Sequence, residues 1–221
     1  MNQQPTEDEL KELAYQLSNP NGDMGIKVAH NMNQTNISMT YSCINSLEIS
    51  NNDIILEIGH GNCSHLKEII NKANNIKYFG LDISELMKKE AENINSDFIN
   101  NNIACYSLYD GINIPFKENY FNKIMTVNTI YFWRRPVDFI KQIYYVLKKD
   151  GLFSITFAQK ESMEKYPFTK YGFELYDNQK IENLIKTTNF QIYKTDTQEE
   201  FIKGKTGEMV NRVYTTFTLK K

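Results

Sequence analysis

The segment DIILEIGHGN, residues 53–62, carries the strongest structural signal in the chain. It joins a short run of apolar and β-branched residues to a turn that contains Gly59 and Gly61, and a helical pattern follows over residues 62–74. Glycines let a backbone approach a ligand closely, and free N–H groups at the start of a helix attract anions. The segment therefore predicts a buried strand that leads into a nucleotide-binding turn. A tight turn that binds nothing would show the same pattern.

Strand-like and helical patterns alternate along the rest of the chain. Strands are predicted at residues 77–82, 103–107, 121–128, 152–158, 190–197 and 212–219, and helices at 84–94, 137–147 and 178–188. Such alternation is typical of a parallel sheet that is covered on both faces. The last two strands are joined by a loop at residues 203–207, which predicts antiparallel neighbours. The expected fold is therefore α/β, a doubly wound, mostly parallel, seven-stranded sheet with an antiparallel C-terminal strand pair.

The first 50 residues have a different pattern from the rest. Leucines and an alanine recur at helical spacing over residues 10–17 and stop before the turn NPNG at residues 19–22. Two more helices are predicted at about residues 25–32 and 38–47. We expect residues 1–50 to form an N-terminal helical cap on a ligand-binding domain that comprises residues 51–221.

Composition limits the possible function classes. The chain has 41% hydrophobic residues and a net charge of −2, so it can bury a core but lacks the basic surplus of proteins that bind nucleic acids through phosphates. No apolar run approaches the ~20 residues of a membrane-spanning helix, and the polar N-terminus does not resemble a leader. Cys43, Cys63 and Cys105 are widely separated, which is typical neither of disulfides nor of a metal site. These features predict a cytoplasmic protein with a small-molecule substrate and no metal.

Acidic residues stand at three predicted strand ends near the glycine turn. Glu57 lies in a buried strand, where an unpaired carboxylate is costly unless something binds it. Asp82 closes the next strand, where it could accept hydrogen bonds from both hydroxyls of a ribose. Asp110 and Gly111 follow the third strand, where they could bind the amine and a ring nitrogen of adenine. The set fits a ligand with an amino acid, a ribose and an adenine, and it fits a pyrophosphate poorly.

Several segments resemble motifs of the class I S-adenosylmethionine (SAM)-dependent methyltransferases. ILEIGHGN at residues 55–62 is similar to the first motif, GLDIS at 80–84 to the second, and YDGINIPF at 109–116 to the GDAxxLPF segment. FNKIMTVNTIYFW at 121–133 resembles the strand that ends beside the methyl group, and IYYVLKKDGLFSITF at 143–157 resembles the helix, turn and strand that follow. The matches occur in the order and spacing of the family.

The resemblance implies a Rossmann-like fold, SAM as cofactor and S-adenosylhomocysteine as product. It also implies contacts between the chain and each part of SAM. The methionine half would lie against Glu57, Gly59, Gly61, Asn62 and Asn128, and the ribose and adenine against Asp82, Ile83, Asp110 and Gly111. The chain departs from the family pattern at Tyr109, where a glycine is usual.

Methyl transfer from a sulfonium requires little catalytic machinery from the protein. The cofactor carries the reactivity, and the protein aligns the acceptor and excludes water. The sequence accordingly identifies no catalytic residue. His30 in the N-terminal region, and Tyr131 and Trp133 after the fourth strand, are candidate substrate contacts. His60 and His65 are expected to serve local structure.

Residues 159–177 hold five aromatic side chains and are long for a plain connection. Long loops in compact domains are often lids over binding sites. We expect this segment and the first 50 residues to cover the acceptor pocket together.

Other functions are compatible with parts of the pattern. A nicotinamide dehydrogenase would share the fold class, but Ser64 stands where its GxGxxG/A fingerprint requires glycine or alanine. A non-catalytic SAM-binding or scaffold protein and an RNA methyltransferase are further alternatives. The leading prediction is a SAM-dependent methyltransferase that acts on a small molecule.

Overall fold

The computed structural model describes residues 5–203 and 209–221, so the predicted loop at 203–207 lies outside the described residues except for residue 203. Seven strands of the described part form one sheet. They are β1 (Ile54–Ile58), β2 (Lys77–Asp82), β3 (Ala104–Leu108), β4 (Phe121–Val127), β5 (Leu147–Ala158), β6 (Gln191–Lys203) and β7 (Met209–Lys220).

The strand order across the sheet is β3-β2-β1-β4-β5-β7-β6. The first five strands pair in parallel, and β7 runs antiparallel to both β5 and β6. This confirms the predicted fold class. The final two strands are longer than predicted, at 13 and 12 residues.

Helices pack on both faces of the sheet. They are α1 (Glu7–Ser18), α2 (Gly22–Ser46), α3 (Leu66–Ile70), α4 (Glu85–Ile94), α5 (Ser96–Asn100), α6 (Pro136–Val146), α7 (Lys160–Met163) and α8 (Asn178–Ile185), with 3-10 helices at Ile130–Phe132 and Pro167–Lys170. Within the described ranges, none of them combines the length and apolarity that crossing a bilayer would require.

Successive residues of β1 supply the two layers of the core. Ile55 belongs to a cluster with buried residues of α2, α3 and α4, whereas Leu56 belongs to a cluster with residues of α6 and α8. Side chains alternate between the faces of a strand, so a strand buried on both faces must be apolar throughout. The position of β1 at the centre of the sheet therefore explains the apolar run IIL at residues 54–56.

The N-terminal region differs from the prediction of three short helices. The first is confirmed as α1, which begins with a capping box formed by Thr6 and Glu9. Residues 25–32 and 38–47, however, belong to one continuous helix of 25 residues, α2. Its C-terminal half is held on the sheet by buried side chains such as Met39 and Ile44. Tertiary packing therefore stabilises a helix whose middle is polar in sequence.

Two other segments also differ from their predictions. The helical pattern at residues 62–74 yields only the short α3, because the chain first turns at Cys63, which has a φ of +48°. Residues 159–177 are not a long irregular loop, since they contain α7 and the second 3-10 helix.

The packing of α2 on the sheet leads to a test of stability. Ile44 is 2% exposed and Ile26, on the same helix, is 43% exposed. We expect Ile44→Ala to lower the free energy of unfolding by about 2–5 kcal/mol, because it leaves a cavity in the core. Ile26→Ala is the matched control and should change it by less than about 0.5 kcal/mol. Denaturant titration measures both free energies of unfolding. An effect of Ile44→Ala as small as that of Ile26→Ala would show that α2 does not belong to the core.

Candidate active site

A cleft opens at the carboxyl ends of β1, β2 and β4. The sheet order reverses at β1, and ligands of open α/β sheets bind at such a point. The cleft is lined from the sheet side by the glycine turn and the strand ends, and from the other side by α1 and α2. Its lining includes Leu17, Ala29, Met32, Asn36, Glu57, Gly59, His60, Gly61, Asn62, His65, Asp82, Ile83, Tyr109, Gly111, Asn128, Thr129, Phe132 and Trp133.

The backbone of the turn explains its glycines. Gly59 and Gly61 have φ angles of +73° and +57°, in the left-handed region that favours glycine. A Cβ on Gly59 would come within 2.3 Å of Cγ2 of Thr129, so no larger residue fits there. A Cβ on Gly61 would meet no heavy atom within 4 Å. The backbone at Gly61 therefore borders open space where a ligand can approach it closely.

Glu57 lies beneath the turn and is paired within the protein. Its carboxylate is 2% exposed and accepts hydrogen bonds from Tyr78 Oη at 2.6 Å and from His65 Nε2 at 2.9 Å. These partners meet the requirement that a buried carboxylate be bound, and the sequence analysis had not identified them. His65 thus has the local structural role that was predicted for it.

Burial and pairing have opposite effects on this ion pair. Burial by itself raises the pKa of Glu57, but the charge of His65 and the hydrogen bonds from His65 and Tyr78 hold that pKa below its ordinary value. Burial by itself lowers the pKa of His65, but the Glu57 carboxylate holds it above its ordinary value. The charged forms of both groups are therefore favoured in the folded protein.

Asp82 connects the end of β2 to the glycine turn. Its carboxylate is 6% exposed, and it accepts hydrogen bonds from the backbone N–H of Gly61 at 3.0 Å and of Ser84 at 2.9 Å. Burial raises the pKa of Asp82, although these backbone hydrogen bonds and the neighbouring His60 oppose the shift. Each carboxylate oxygen retains capacity for a further hydrogen bond. Asp82 can therefore hold the turn in place and also accept hydrogen bonds from a ligand.

The third acidic residue is placed differently from the other two. Asp110 is exposed and accepts hydrogen bonds from the backbone N–H groups of Ile112 and Asn113, at 2.8 and 2.6 Å. Hydrogen bonds from Asn113 and Ile112 lower the pKa of Asp110. Its neighbour Gly111 is among the described residues that line the cleft, whereas Asp110 is not. The carboxylate of Asp110 thus stabilises the turn that follows β3.

Two residues beside Gly111 shape the same end of the cleft. Ile83, predicted to flank the cofactor, lines the cleft, and its Cγ2 would lie 3.3 Å from a Cβ on Gly111. Tyr109 also lines the cleft and stacks on Phe139 with 6.3 Å between ring centroids. The sequence analysis noted Tyr109 only as a departure from the family pattern, so its place in the cleft was missed.

His60 brings an unused hydrogen-bonding atom to the turn. Its Nδ1–H donates to the carbonyl oxygen of Gly61 at 2.6 Å, so that Nε2 is an acceptor when the ring is neutral and a donor when it is charged. This buried Nε2 has no partner within the part of the chain that the structure describes. Buried polar atoms without partners are rare, so a bound water or a ligand donor is expected there.

A second cavity adjoins the cleft. The two share five lining residues, which are Leu17, Met32, Asn36, Asn128 and Phe132. The other described residues around the second cavity are Thr35, Tyr131, Ala158, Met163, Tyr166, Phe168, Phe173, Ile202 and Arg212. It lies between the N-terminal helices, the end of β5 and the segment at residues 159–177.

Asn128 stands at the boundary between the cleft and the second cavity. It has a φ of +57°, and its side-chain oxygen accepts hydrogen bonds from Tyr131 Oη at 3.0 Å and from the backbone N–H of Ala158 at 3.2 Å. These contacts fix the carboxamide at the end of β4.

The three predicted substrate contacts lie in three different places. Tyr131 lines the second cavity. Trp133 lines the cleft, and its indole N–H donates to Thr129 Oγ1 at 3.1 Å. His30 lies on the exposed face of α2, where its Nε2 is 2.9 Å from Nε2 of Gln34, and it is not among the described residues that line either space.

Glu57, Cys63 and His65 place a carboxylate, a thiol and an imidazole within 4.8 Å of one another. Burial raises the pKa of the Cys63 thiol, and its sulfur lies 3.1 Å from Tyr78 Oη. A metal ion would need the thiolate and would have to displace the ion pair. As it stands, the cluster is a hydrogen-bonded network that supports the turn.

A sequence profile described as a methyltransferase domain matches residues 56–155, which include the glycine turn and the end of β4. This part of the chain is therefore similar to that methyltransferase domain. One relative of the domain, the Uncharacterized methyltransferase YdaC of Bacillus subtilis (strain 168), is 28% identical over 123 residues. The match covers 54% of this chain and 64% of YdaC, somewhat less than two thirds of that relative.

Solved structures share the fold of this chain at low sequence identity. A SAM dependent methyltransferase from Aquifex aeolicus has a TM-score of 0.66 and 13% identity, over 96% of this chain and 98% of that one. The cyclase SpnF has a TM-score of 0.67 and 14% identity, over 85% of this chain and 82% of that one. At these identities the likeness shows the fold alone.

The ion pair under the turn predicts a specific response to pH. Ordinary pKa values are 4.5 for Glu57 and 6.5 for His65, and folding lowers the first and raises the second. The pair therefore stabilises the fold fully between pH 4.5 and 6.5. That stability is lost as pH falls through the lowered pKa of Glu57 or rises through the raised pKa of His65.

NMR titration of the histidine ring signals tests whether the contact between Glu57 and His65 causes these pKa shifts. In Glu57→Gln the pKa of His65 should fall below 6.5, because burial then acts without the carboxylate. The ring signals of the exposed His30 should not differ between the two proteins and serve as the control. An unchanged pKa of His65 in the variant would contradict the pairing.

Proposed function

We propose that this methyltransferase domain takes its methyl group from SAM and transfers it to a small molecule. The observation that supports the proposal most strongly is the position of Asp82. This buried carboxylate is bonded to the backbone of the glycine turn and lines the same cleft as Gly61 and Asn128. A ribose diol would find two acceptor oxygens there, next to a backbone that leaves open space.

The chemistry of the cleft fits SAM better than a dinucleotide. Eight of the nine residues that the family resemblance implies line this one cleft, and Asp110 is the exception. The buried carboxylate of Asp82 has no cationic partner, so it would repel a pyrophosphate but can accept hydrogen bonds from hydroxyls, whereas Glu57 is already paired with His65. The unpartnered Nε2 of His60 is a further acceptor for a ligand donor or a water.

The chain's own residues would position the reactants and exclude water. When bound, SAM supplies a methyl group that is activated on a sulfonium. Leu17, Ala29 and Met32 cover the cleft with apolar side chains from α1 and α2. Asn128 and Phe132 line both spaces, so the acceptor would meet the donor there. Alignment of two bound reactants can supply much of the rate enhancement.

A fold does not determine a function, and the chain shares its fold with the cyclase SpnF. A non-catalytic SAM-binding or scaffold protein would bind SAM and leave it intact. An RNA methyltransferase would require an acceptor surface of opposite charge, whereas this chain has a net charge of −2. Formation of S-adenosylhomocysteine with small acceptors supports the proposal over these alternatives.

Asp82→Asn tests the donor site directly. The substitution removes the charge that binds the diol, and hydrogen bonds to charged groups contribute about 1.5–3 kcal/mol. We therefore expect the affinity for SAM, measured by isothermal titration calorimetry, to fall about 10- to 100-fold. Asp97→Asn, at an exposed aspartate on α5, is the matched control and should bind SAM as the unchanged protein does.

Thermal unfolding of both variants shows whether the fold persists. A folded Asp82→Asn protein with unchanged SAM affinity would contradict the proposed role of the cleft. Failure of the unchanged protein to bind SAM would contradict the proposed cofactor.

A further inference from the structure

We infer that the second cavity is the acceptor site and that its substrate is an uncharged, ring-containing thiol. This inference rests on the proposed use of SAM in the adjoining cleft. Three features of the cavity carry it, namely its aromatic wall, the pairing of the one charged residue in its described lining, and the character of its polar groups.

Aromatic rings in mutual contact form one wall of the cavity. Phe173 lies 4.7 Å from Phe132, 5.8 Å from Tyr131 and 5.7 Å from Phe168, between ring centroids. Tyr166 stacks on Phe168 at 5.4 Å. Such a wall gains free energy by covering the apolar faces of a ring-containing ligand.

Other lining residues of the cavity add adaptable apolar surface. Met32 of α2 and Met163 of α7 both line it, together with Leu17 and Ile202. Methionine side chains are flexible and polarisable, and they make favourable contacts with aromatic rings. This part of the lining is therefore suited to an apolar molecule rather than to a polar one.

The only charged side chain among the described lining residues is already neutralised. The guanidinium of Arg212 donates to Glu200 Oε1 from Nε at 2.9 Å and from Nη2 at 2.5 Å. It also donates to Asn36 Oδ1 at 2.8 Å and to the carbonyl oxygen of Thr35 at 2.6 Å. A carboxylate or phosphate on the acceptor would enter without a free counter-charge, which makes its burial costly.

The polar groups of the cavity do not supply a base. Its described lining includes no carboxylate and no imidazole. Tyr131 Oη donates to Asn128 Oδ1 and to the carbonyl oxygen of Ala158, each at 3.0 Å, and burial raises the pKa of this phenol. The acceptor must therefore lose its proton without help from the protein.

Of a thiol and a phenol, the thiol satisfies this condition better. A thiol ionises near pH 8.5 and a phenol near pH 10, so far more thiolate than phenolate is present at neutral pH. The thiol enters uncharged and releases its proton to water beside the donor sulfonium, whose positive charge offsets that of the thiolate. A new S–CH3 bond then forms with the thiolate electron pair while the bond between the methyl group and the donor sulfonium breaks, which leaves neutral S-adenosylhomocysteine.

Three small probes test the class of acceptor. With SAM present, benzenethiol should be methylated with a kcat/KM at least ten times that of phenol or of para-mercaptobenzoate, as measured by release of S-adenosylhomocysteine. Preference for phenol would overturn the thiol assignment. Equal use of the carboxylated thiol would overturn the requirement for an uncharged molecule.

A pair of matched substitutions tests the location. Met163→Trp fills part of the cavity, and we expect it to raise the KM for benzenethiol at least tenfold while the affinity for S-adenosylhomocysteine changes less than twofold. Met209→Trp makes the same change on β7 at a residue that is 65% exposed, and it should leave both values unchanged. An unaltered KM in Met163→Trp would place the acceptor elsewhere.

A smaller substitution keeps the test valid if Met163→Trp does not fold. Phe173→Leu enlarges the cavity, so the kcat/KM for a naphthalenethiol should rise relative to that for benzenethiol. If S-adenosylhomocysteine does not bind the unchanged protein, the proposed function itself fails. If it binds and no thiol is methylated, only this inference fails.

Discussion

The ion pair between Glu57 and His65 is the constraint on which the site depends. The two residues lie eight positions apart, and the segment that their contact closes contains Gly59 and Gly61. Tyr78 binds the same carboxylate from β2, and Asp82 holds the turn through the N–H of Gly61. Removal of one partner would leave a buried charge, which typically costs about 3–5 kcal/mol. The turn is thus fixed by the protein before any ligand arrives.

The site also requires a cover, and α2 forms this cover while it packs on the sheet. One half of this helix packs on the sheet through Cys43 and Ile44, and the other half lines the cleft and the second cavity through Met32 and Asn36. Because a helix is stiff over this length, the cover is positioned by the hydrophobic core. Polar residues in the middle of α2 face the cavities and therefore interrupt its apolar pattern.

Much of the fold could be predicted from the sequence, because short apolar runs such as residues 54–58 identify strands buried on both faces. The glycine turn could be placed because it directly follows the first of these apolar runs. Three features could not be predicted. The continuity of α2 depends on its packing, the partners of Glu57 come from different elements, and the side chain of Asp110 binds its own turn. Contacts between separate elements decide the first two, whereas the third is a local choice of Asp110 between its own turn and a ligand.

A crystal structure of the protein with S-adenosylhomocysteine tests the central claim most directly. The account predicts that the ribose hydroxyls contact the carboxylate of Asp82, that the amino-acid part lies against the turn at Gly59 and Gly61, and that the sulfur faces the second cavity beside Asn128. A ligand bound elsewhere on the chain, or one in the cleft with its ribose away from Asp82, would contradict it.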